Sequence, residues 1–364
     1  MNPDVGADRR ARLGAAVAGR GLDALVVSHL PNVRYLTGFT GTAATAAVLA
    51  SGDLLFATDF RYATQVGEEV AGAARVAIAA ADPLGRLLDL LAEHRQVQKV
   101  GFESAVLTWK AAERLCRDAR WRFEPQEGLV EALRARKDAS EVAAIREAGR
   151  LALDALGAVL GCVKPGLTEM EVAARLESEL RRRGSEWHPF PTIVASGPRS
   201  ALPHAATSDR EIAAGDFLLL DFGARIGGYC ADVTRTVVVG APADERQRTV
   251  YELVREAQRR AVEGIAAGMT GRDADALARS VIEARGFGEQ FGHSLGHGVG
   301  LEVHEEPRLG RTNEDPLPEG AVVTVEPGIY VPGWGGVRLE DDVLLAAGGP
   351  ELLTDGETEL RELV

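Results

Sequence analysis

The chain of 364 residues is longer than one ordinary hydrophobic core supports, so we expect two domains of unequal size. Its composition, 46% hydrophobic and 26% charged, is typical of a globular protein and argues against disorder. A net charge of -13 opposes binding to nucleic acid or to an anionic membrane surface, because like charges repel.

The first part of the chain alternates short apolar strands with amphipathic helices. A helix is predicted over residues 9–20, and the alternating run LDALVVSH that follows predicts a buried strand ending at Pro31. Further strands are predicted at 46–50, 53–58, 75–80 and 99–103, with amphipathic stretches at 84–94 and 108–118. This rhythm is typical of an α/β domain.

The alternation lapses over residues 121–128, where no regular element is predicted. From Glu131 a charged helical stretch begins, and Ser140 with Glu141 opens a long run of helix formers through Val163. We therefore place the domain boundary near residue 130, which gives domains of 1–130 and 131–364.

The second domain is rich in strands. Strands are predicted at 191–197, 217–226, 229–240, 321–331 and 335–346, and helices at 243–267 and 273–285. The Gly227-Gly228 pair between two of the strands is a hairpin signal. This order of strands, helices and strands predicts an α+β domain.

Cysteine usage and the N-terminus both favour the cytoplasm. Cys116, Cys162 and Cys230 are an odd number at wide spacing, which fits neither a disulfide framework nor a thiolate metal site. The charged N-terminal stretch is followed by no apolar run of signal-peptide length, and no segment reaches the length of a membrane span. We expect a cytoplasmic protein with reduced thiols and no membrane partner.

Two aspartates lie on predicted neighbouring strands that are otherwise apolar. Asp221 ends the run FLLLD, and Asp232 lies on the facing strand just past the Gly227-Gly228 turn. A carboxylate set into an apolar strand is costly unless a cation or hydrogen bonds compensate it. A cation shared by the two acids explains the pair, and ordinary turn residues are the alternative.

The last two predicted strands repeat this feature. Glu326 interrupts VVTVEPG, and Glu340 interrupts VRLEDDVLL. Four such acids are harder to explain as turn residues than two. Alternation places Asp342 on the same face as Glu340, so periodicity alone leaves open which of these two acids faces the site.

The segment GHSLGHGVGLEVHEEP, residues 292–307, holds three histidines separated by glycines: His293, His297 and His304. Their spacing would align them on a helix, but the glycines favour a loop and a strand and mark places where the backbone passes close to another group. One histidine alone is more often a core or surface residue than a ligand. Three histidines beside four buried acids favour chemistry.

Carboxylates combined with an imidazole suit manganese, cobalt, iron or zinc, and the lack of cysteine ligands argues against a structural zinc. A set of four carboxylates and one imidazole can bridge two metal ions and lower the pKa of a shared water towards neutrality. The sequence therefore predicts a metal-dependent hydrolytic site.

These segments resemble the pita-bread metallopeptidases and, within them, the Xaa-Pro peptidases aminopeptidase P and prolidase. The motifs that carry the resemblance are residues 193–205, 215–236, 292–307 and 322–345, in family order. The resemblance implies an α+β pita-bread catalytic domain over 131–364. It also implies a smaller α/β domain of the creatinase type over 1–130.

The resemblance implies two divalent metal ions, with manganese as the first choice and cobalt or zinc as alternatives. The ligands that it implies are Asp221, Asp232, His297, Glu326 and Glu340. It thereby chooses Glu340 over Asp342. Glu326 is also implied as the general base, since a carboxylate bound to metal can still take a proton.

Further roles follow from the same resemblance. His204, in LPHA, is implied near the scissile carbonyl and the proline nitrogen, and His304 is implied as a donor to the carbonyl oxygen as it gains charge. His293 is implied to line the substrate site. Arg338, two residues before Glu340, is expected to orient a ligand carboxylate.

The N-terminal segments 25–41 and 57–65 resemble the N-terminal domain of Xaa-Pro peptidases. In relatives that domain limits access to the metal site and often reaches across a dimer, so we expect gating, dimerisation and a homodimer. Arg61, Tyr62 and Tyr35 become candidates for substrate contact. Stabilisation of the domain is the alternative role for all three.

The implied substrates are proline-containing peptides. A bond before proline has no N–H on the proline side, so ordinary peptidases lose a hydrogen-bond partner there. We expect an Xaa-Pro aminopeptidase, because no basic group for a dipeptide carboxylate is evident over residues 31–45. An Xaa-Pro dipeptidase is the alternative. A creatinase-like hydrolase without metals and an inactive peptide-binding protein are remote alternatives, because every implied ligand is present.

Overall fold

The computed structural model describes residues 3–70 and 72–364, which form two compact units. The first unit ends at Arg134, and the second spans Ala135–Val364. Each unit contains its own clusters of buried apolar side chains, as domains do. No helix in the described part of the chain combines the length and the apolar composition that a bilayer-crossing segment requires.

The first unit is a mixed sheet with helices. Its helices are α1 (Pro3–Gly19), α2 (Leu30–Thr37), α3 (Ala63–Glu69), α4 (Pro83–Leu91), α5 (Trp109–Cys116) and α6 (Glu131–Arg134). Its strands are β1 (Ala24–Val27), β2 (Ala44–Leu49), β3 (Leu54–Asp59), β4 (Arg75–Ala79), β5 (Lys99–Glu103) and β6 (Arg122–Gln126). The strand order is β4-β3-β2-β1-β5-β6, with β2 antiparallel to both of its neighbours and the other pairs parallel.

Two predictions for this unit are wrong. Strand β1 ends at Val27, and Pro31 belongs to the first turn of α2, where a missing N–H leaves no hydrogen bond unmade. Residues 122–126, where no element was predicted, form the edge strand β6. Its side chains are largely in contact with solvent, so they show little alternation, and Pro125 is tolerated because an edge strand does not need every N–H.

The second unit has four long helices and many short strands. Its helices are α7 (Ala139–Leu160), α8 (Glu169–Arg182), α9 (Glu245–Gly264) and α10 (Gly271–Glu283). Its first strands are β7 (Ile193–Ser196), β8 (Phe217–Phe222), β9 (Arg225–Ile226), β10 (Tyr229–Cys230) and β11 (Val233–Val239). The remaining strands are β12 (Gly296–Gly298), β13 (Glu305–Leu309), β14 (Val322–Val325), β15 (Gly328–Val331), β16 (Gly335–Arg338), β17 (Asp341–Ala346), β18 (Gly349–Leu352) and β19 (Glu362–Leu363).

These strands form two main sheets, in the orders β19-β11-β8-β7 and β13-β12-β14-β17-β18. Helices α7 and α8 pack against β7, β8 and β11, and helices α9 and α10 pack against β14 to β17. The pairs β9–β10 and β15–β16 are short antiparallel ribbons. This α+β arrangement confirms the predicted fold class.

Several long predicted elements are broken in the structure. The helical stretch predicted from Glu131 forms two helices, α6 and α7, and α7 begins close to the predicted opening at Ser140, where Asp138 accepts from the N–H groups of Ser140 and Glu141. The predicted strand at 321–331 divides at Glu326-Pro327, and that at 335–346 divides at Leu339-Glu340. Three of the predicted acids therefore lie between strands: Asp232, Glu326 and Glu340.

Candidate metal centre and substrate cavity

A cavity of about 520 Å³ in the second unit brings together every site residue predicted for that unit. The predicted residues that line it are His204, Asp221, Asp232, His293, His297, His304, Glu326, Arg338 and Glu340. They come from both main sheets, from the β15–β16 ribbon and from the loops between the strands. The cavity is therefore the candidate active site.

Strand pairing places two of the acids on either side of Thr234. Thr234 of β11 pairs with Asp221 of β8 and also forms an isolated bridge to Glu340. The Thr234 hydroxyl donates to Glu340 Oε2 at 2.6 Å and accepts from the Arg338 Nε–H at 3.0 Å. The Thr234 hydroxyl thus binds two charged groups of the site, Glu340 and Arg338.

His297 lies on the short strand β12, between β13 and β14. Its backbone N–H donates to the Thr324 hydroxyl at 3.0 Å. Its Nδ1 lies 3.0 Å from the Gly298 carbonyl oxygen, which can only accept, so Nδ1 carries the proton. The lone pair therefore belongs to Nε2, which lies 3.4 Å from Glu326 Oε1 and 3.9 Å from Asp232 Oδ2.

The side chains of this cluster fit divalent metal ions. Asp232, His297 and Glu340 each offer a ligand atom, and these atoms lie within 4.8 Å of one another. Asp232 Oδ1 is buried and has no hydrogen-bond partner among the described residues. Burial raises the pKa of Asp221, Asp232, Glu326 and Glu340, and for the last three repulsion from neighbouring carboxylates adds to the effect. Bound cations would compensate both penalties.

Arg338 is buried and engaged on all sides. It donates to Asp221 Oδ2 at 2.5 Å, to the Tyr330 hydroxyl at 2.8 Å and to the Pro203 carbonyl at 3.1 Å. The Tyr330 hydroxyl lies 3.0 Å from Nε2 of His293. Arg338 therefore contacts a carboxylate of the cluster and two further groups that the sequence did not indicate, and its role in orienting that carboxylate stays a prediction.

Asp342, the acid that periodicity left open beside Glu340, occupies a different position. Its side chain is fully buried, does not line the cavity, and accepts from the backbone N–H of Asp232 at 3.1 Å. The strand is interrupted between Arg338 and Asp341, so the alternation of side chains that would place Glu340 and Asp342 on one face does not continue across this point. Asp342 thus supports the Asp232 backbone from outside the cavity.

The remaining histidines differ in burial. Burial lowers the pKa of His293 to about 4, and partial desolvation also lowers the pKa of the more exposed His304. The ring of His304 lies 4.3 Å from that of His297. His204 is exposed in the wall of the cavity.

The three candidates in the first unit contact their own neighbours. Tyr35 is 1% exposed, and the Arg9 guanidinium lies over its ring, so its position corresponds to the stabilising alternative. Arg61 pairs with Asp59 at 2.7 Å, and the Tyr62 hydroxyl lies 2.6 Å from that of Thr42. A substrate contact by Arg61 or Tyr62 stays a prediction.

Sequence reasoning missed the apolar wall of the cavity and one of its cations. Phe190, Ile193 and Val303 line the cavity, and so does Arg308, whose side chain is 57% exposed. Arg308 lies on β13, in a segment where the histidines carried the signal. These side chains come from separate segments, and only the fold brings them into the same cavity.

Comparison with known proteins identifies the family. The model of metallopeptidase family M24 matches residues 143–347, and that of the creatinase/prolidase N-terminal domain matches residues 9–136.

Similar proteins carry related names. An Xaa-Pro dipeptidase of Pyrococcus horikoshii is 38% identical over 342 residues, which cover 93% of this chain and 94% of that protein. The structure of an Xaa-Pro dipeptidase from Bacillus anthracis matches with a TM-score of 0.94 and 41% identity, covering 98% of this chain and 100% of the other. That of an X-Pro aminopeptidase from Thermotoga maritima matches with a TM-score of 0.87 and 37% identity, covering 94% and 98%.

The predicted resemblance is thereby confirmed, and the names of these relatives favour the dipeptidase alternative over the aminopeptidase. The family brings with it divalent metal ions, which the buried cluster fits. This chain belongs to metallopeptidase family M24, in which it is a metallo-exopeptidase with an N-terminal domain of the creatinase/prolidase type.

Proposed function

We propose that this enzyme hydrolyses the bond between the first residue and proline in Xaa-Pro dipeptides. The observation that carries the proposal is the composition of the cavity, where an apolar wall and an exposed cationic side chain accompany the acidic cluster. Proline requires the apolar wall, and the carboxylate of a dipeptide requires the cation. The Xaa-Pro dipeptidases that match along nearly the whole chain support the same function.

Five side chains would hold two divalent ions in this proposal: Asp221, Asp232, His297, Glu326 and Glu340. Such ions supply Lewis acidity and an ionised water at neutral pH. Burial raises the pKa of Glu326 to about 8, and bound cations would lower it again, so that the ionised carboxylate can accept a proton at neutral pH and pass it to the proline nitrogen. His304 and His204 are exposed in the cavity wall, where they can donate to the carbonyl oxygen and contact the proline side.

Arg308 is the group we assign to the substrate carboxylate. Of the described residues that line the cavity, Arg308 and Arg338 are the two with a permanent positive charge. Arg338 is engaged with Asp221 at 2.5 Å, whereas Arg308 has only a distant pair with Glu306, at 3.9 Å. A guanidinium is well suited to bidentate binding of a carboxylate.

The second candidate is an Xaa-Pro aminopeptidase that removes the first residue from longer peptides. The similarity to the X-Pro aminopeptidase from Thermotoga maritima favours it. The two functions share the acidic cluster and differ in whether a carboxylate must follow proline directly.

Substrate length distinguishes the two functions. We expect cleavage of Ala-Pro and much slower cleavage of Ala-Pro-Ala and of Ala-Pro amide, measured with manganese, cobalt and zinc added in turn. Preferred cleavage of Ala-Pro-Ala would transfer the proposal to the aminopeptidase. Absence of metal-dependent cleavage of all three peptides, with Glu326→Ala equal to wild type, would reject the Xaa-Pro function.

A charge substitution tests the carboxylate assignment. Arg308→Gln should raise KM for Ala-Pro about 10- to 100-fold, because a charged hydrogen bond is lost, and should leave Ala-Pro amide unaffected. Arg311→Gln is the matched control, because Arg311 is exposed, pairs with Glu283 at 3.2 Å and does not line the cavity. Equal losses for both peptides would contradict the assignment.

Finer features belong to the same proposal. We take manganese as the first metal to test, because carboxylate-rich sites suit it. A homodimer, a cytoplasmic location and a gating role for the first unit remain predictions, and sedimentation of the purified enzyme tests the first of them.

A further inference from the structure

A buried carboxylate joins the two ends of a loop that contributes to the cavity wall. Glu169, in the first turn of α8, is 0% exposed. Its Oε1 accepts from the N–H of Ser196 at 2.8 Å and from the Ser196 hydroxyl at 2.9 Å. Its Oε2 accepts from the N–H of Ser208 at 3.1 Å and from the Ser208 hydroxyl at 2.6 Å. One carboxylate thus holds both ends of residues 197–207, which we name the His204 loop.

A cation completes this arrangement. The Arg199 Nε–H lies 3.1 Å from Glu169 Oε2, and the Arg199 guanidinium also donates to the Ala206 carbonyl oxygen. Glu169 is therefore a paired buried charge whose oxygens are fully used. Removing the Glu169 carboxylate would leave its donors buried without an acceptor, which lowers stability.

The His204 loop forms one wall of the substrate cavity, through residues 203–207. Among the described residues, none forms a hydrogen bond with the imidazole of His204 itself, so the backbone of the loop sets where this ring lies. Two further contacts fix the middle of the loop: the Gly336 N–H donates to the Ser200 hydroxyl at 2.8 Å, and Arg338 donates to the Pro203 carbonyl at 3.1 Å. At the C-terminal end, Thr207 is bound to Val194 and Thr192, and the Met170 N–H donates to the Ser208 carbonyl, but only Glu169 binds both ends through one side chain.

We infer that Glu169 is a positioning residue for catalysis, which acts through His204 by fixing both ends of the His204 loop. The inference deepens the proposed function and depends on it for the substrate that His204 meets. Glu169 lies outside the cavity and touches no reacting atom. A displacement of about 1 Å in a group that contacts substrate can lower the rate about 100-fold, so an anchor at this distance from the chemistry can matter.

Glutamine at position 169 is the sharpest substitution. Its side chain has nearly the same shape, but its amide nitrogen would face the N–H of Ser196 or of Ser208, so that one end of the loop loses its acceptor. Glu171→Gln is the matched control on the same helix. Glu171 completes the capping box with Thr168, a function that glutamine also performs.

A double-mutant cycle separates positioning from stability. We expect Glu169→Gln to lower kcat on Ala-Pro about 10- to 100-fold in the wild-type background and less than about twofold in the His204→Ala background, with Glu171→Gln near wild type. Metal affinity should be unchanged in all variants. Equal losses in both backgrounds, or full activity in Glu169→Gln below its unfolding temperature, would overturn the inference. If Glu169→Gln does not fold, Ser208→Ala, which removes a single hydroxyl from Oε2, takes its place in the same cycle.

Nuclear magnetic resonance of the histidine rings provides a measurement that does not depend on the substrate. The imidazole signal of His204, assigned by its loss in His204→Ala, should shift in Glu169→Gln and stay in place in Glu171→Gln. If wild type cleaves no Xaa-Pro peptide, the proposed function fails, whereas the shift still supports the positioning role of Glu169. An unchanged His204 signal in Glu169→Gln overturns that role whatever the substrate.

Discussion

His297 and His293 each place Nδ1 against a backbone carbonyl oxygen, of Gly298 at 3.0 Å and of Ser294 at 2.8 Å. A carbonyl can only accept, so both rings are protonated on Nδ1 and present Nε2 as an acceptor. What faces Nε2 then separates their roles. For His297 it is the acidic cluster, and for His293 it is the Tyr330 hydroxyl, at 3.0 Å.

His293 should make the stability of the second unit depend on pH. Burial, reinforced by the nearby cations of Arg338 and Arg279, lowers its pKa from 6.5 to about 4. Between these values the unfolded chain binds a proton on this ring and the folded chain does not, so the free energy of unfolding falls as pH falls through this window. His293→Gln should remove this contribution. We expect the difference in unfolding free energy between wild type and His293→Gln to shrink from pH 7 to pH 4.5 in urea titrations, and a constant difference would contradict it.

Strand breaks decide where the acids of the site lie. The sequence allowed Glu326 and Glu340 to be recognised because each interrupts an apolar run, but it could not show that the strands end there. Pro327 follows Glu326 directly and has no N–H for a ladder, which is consistent with the end of β14. Periodicity predicted the strands. The position of Glu340, between β16 and β17, follows from its bridge to Thr234 of β11.

Other residues of the site gave no local signal. Glu169 and Arg308 are charged residues in segments where charges are common, and their roles depend on partners far along the chain. Such partners become visible only when the fold brings them together. The four acids predicted as metal ligands, in contrast, were anomalous within their predicted apolar strands, which is why sequence reasoning singled them out.

The glycines of residues 292–307 test how β12 presents His297. A Cβ on Gly296 would overlap the Thr324 carbonyl oxygen of β14, whereas a Cβ on Gly292 would meet nothing within 4 Å. Gly296→Ala should therefore force β12 away from β14, destabilise the unit by about 1 to 3 kcal/mol and weaken metal binding through His297. Gly292→Ala is the control in the same segment and should behave like wild type. Both effects are measured by urea unfolding and by manganese titration, and a Gly296→Ala variant with normal metal affinity would contradict the expectation.

In the first unit, Glu103 joins the end of β5 to the start of α2. Its Oε2 accepts from the N–H groups of Ser28 and His29 at 2.7 and 2.8 Å, and its Oε1 accepts from Asn32 at 2.6 Å. Glu103→Ala leaves these buried donors without an acceptor, so we expect a loss of about 3 kcal/mol in the unfolding free energy of this unit. Glu113→Ala, which removes only an exposed ion pair, should change it by less than about 0.5 kcal/mol. A loss of the same size in both variants would contradict the capping role of Glu103.

At the scale of the whole molecule, the two units compensate their buried carboxylates in different ways. The first unit buries Glu103 with several donors, and the second buries a cluster of carboxylates whose pKa values are raised by burial and by one another. A structure with such a cluster is stabilised by whatever cation binds it, because the unfolded chain offers no comparable site. Stability and catalysis in the second unit should therefore depend on the same ions.

The coupling between metal binding and the stability of the second unit can be measured in the full chain with a fluorescence signal that comes from that unit only. Trp109 and Trp121 lie in the first unit and Trp187 and Trp334 in the second, so replacing the first two with phenylalanine leaves fluorescence that follows the second unit. In that variant, manganese at about 100 times its Kd should raise the unfolding free energy by about 2.7 kcal/mol, and a chelator should reverse the change. Adding Asp232→Asn should remove most of this gain, because it neutralises a member of the cluster. A gain that survives Asp232→Asn would locate the stabilising ions elsewhere and contradict the assignment of the metal centre to the buried acids.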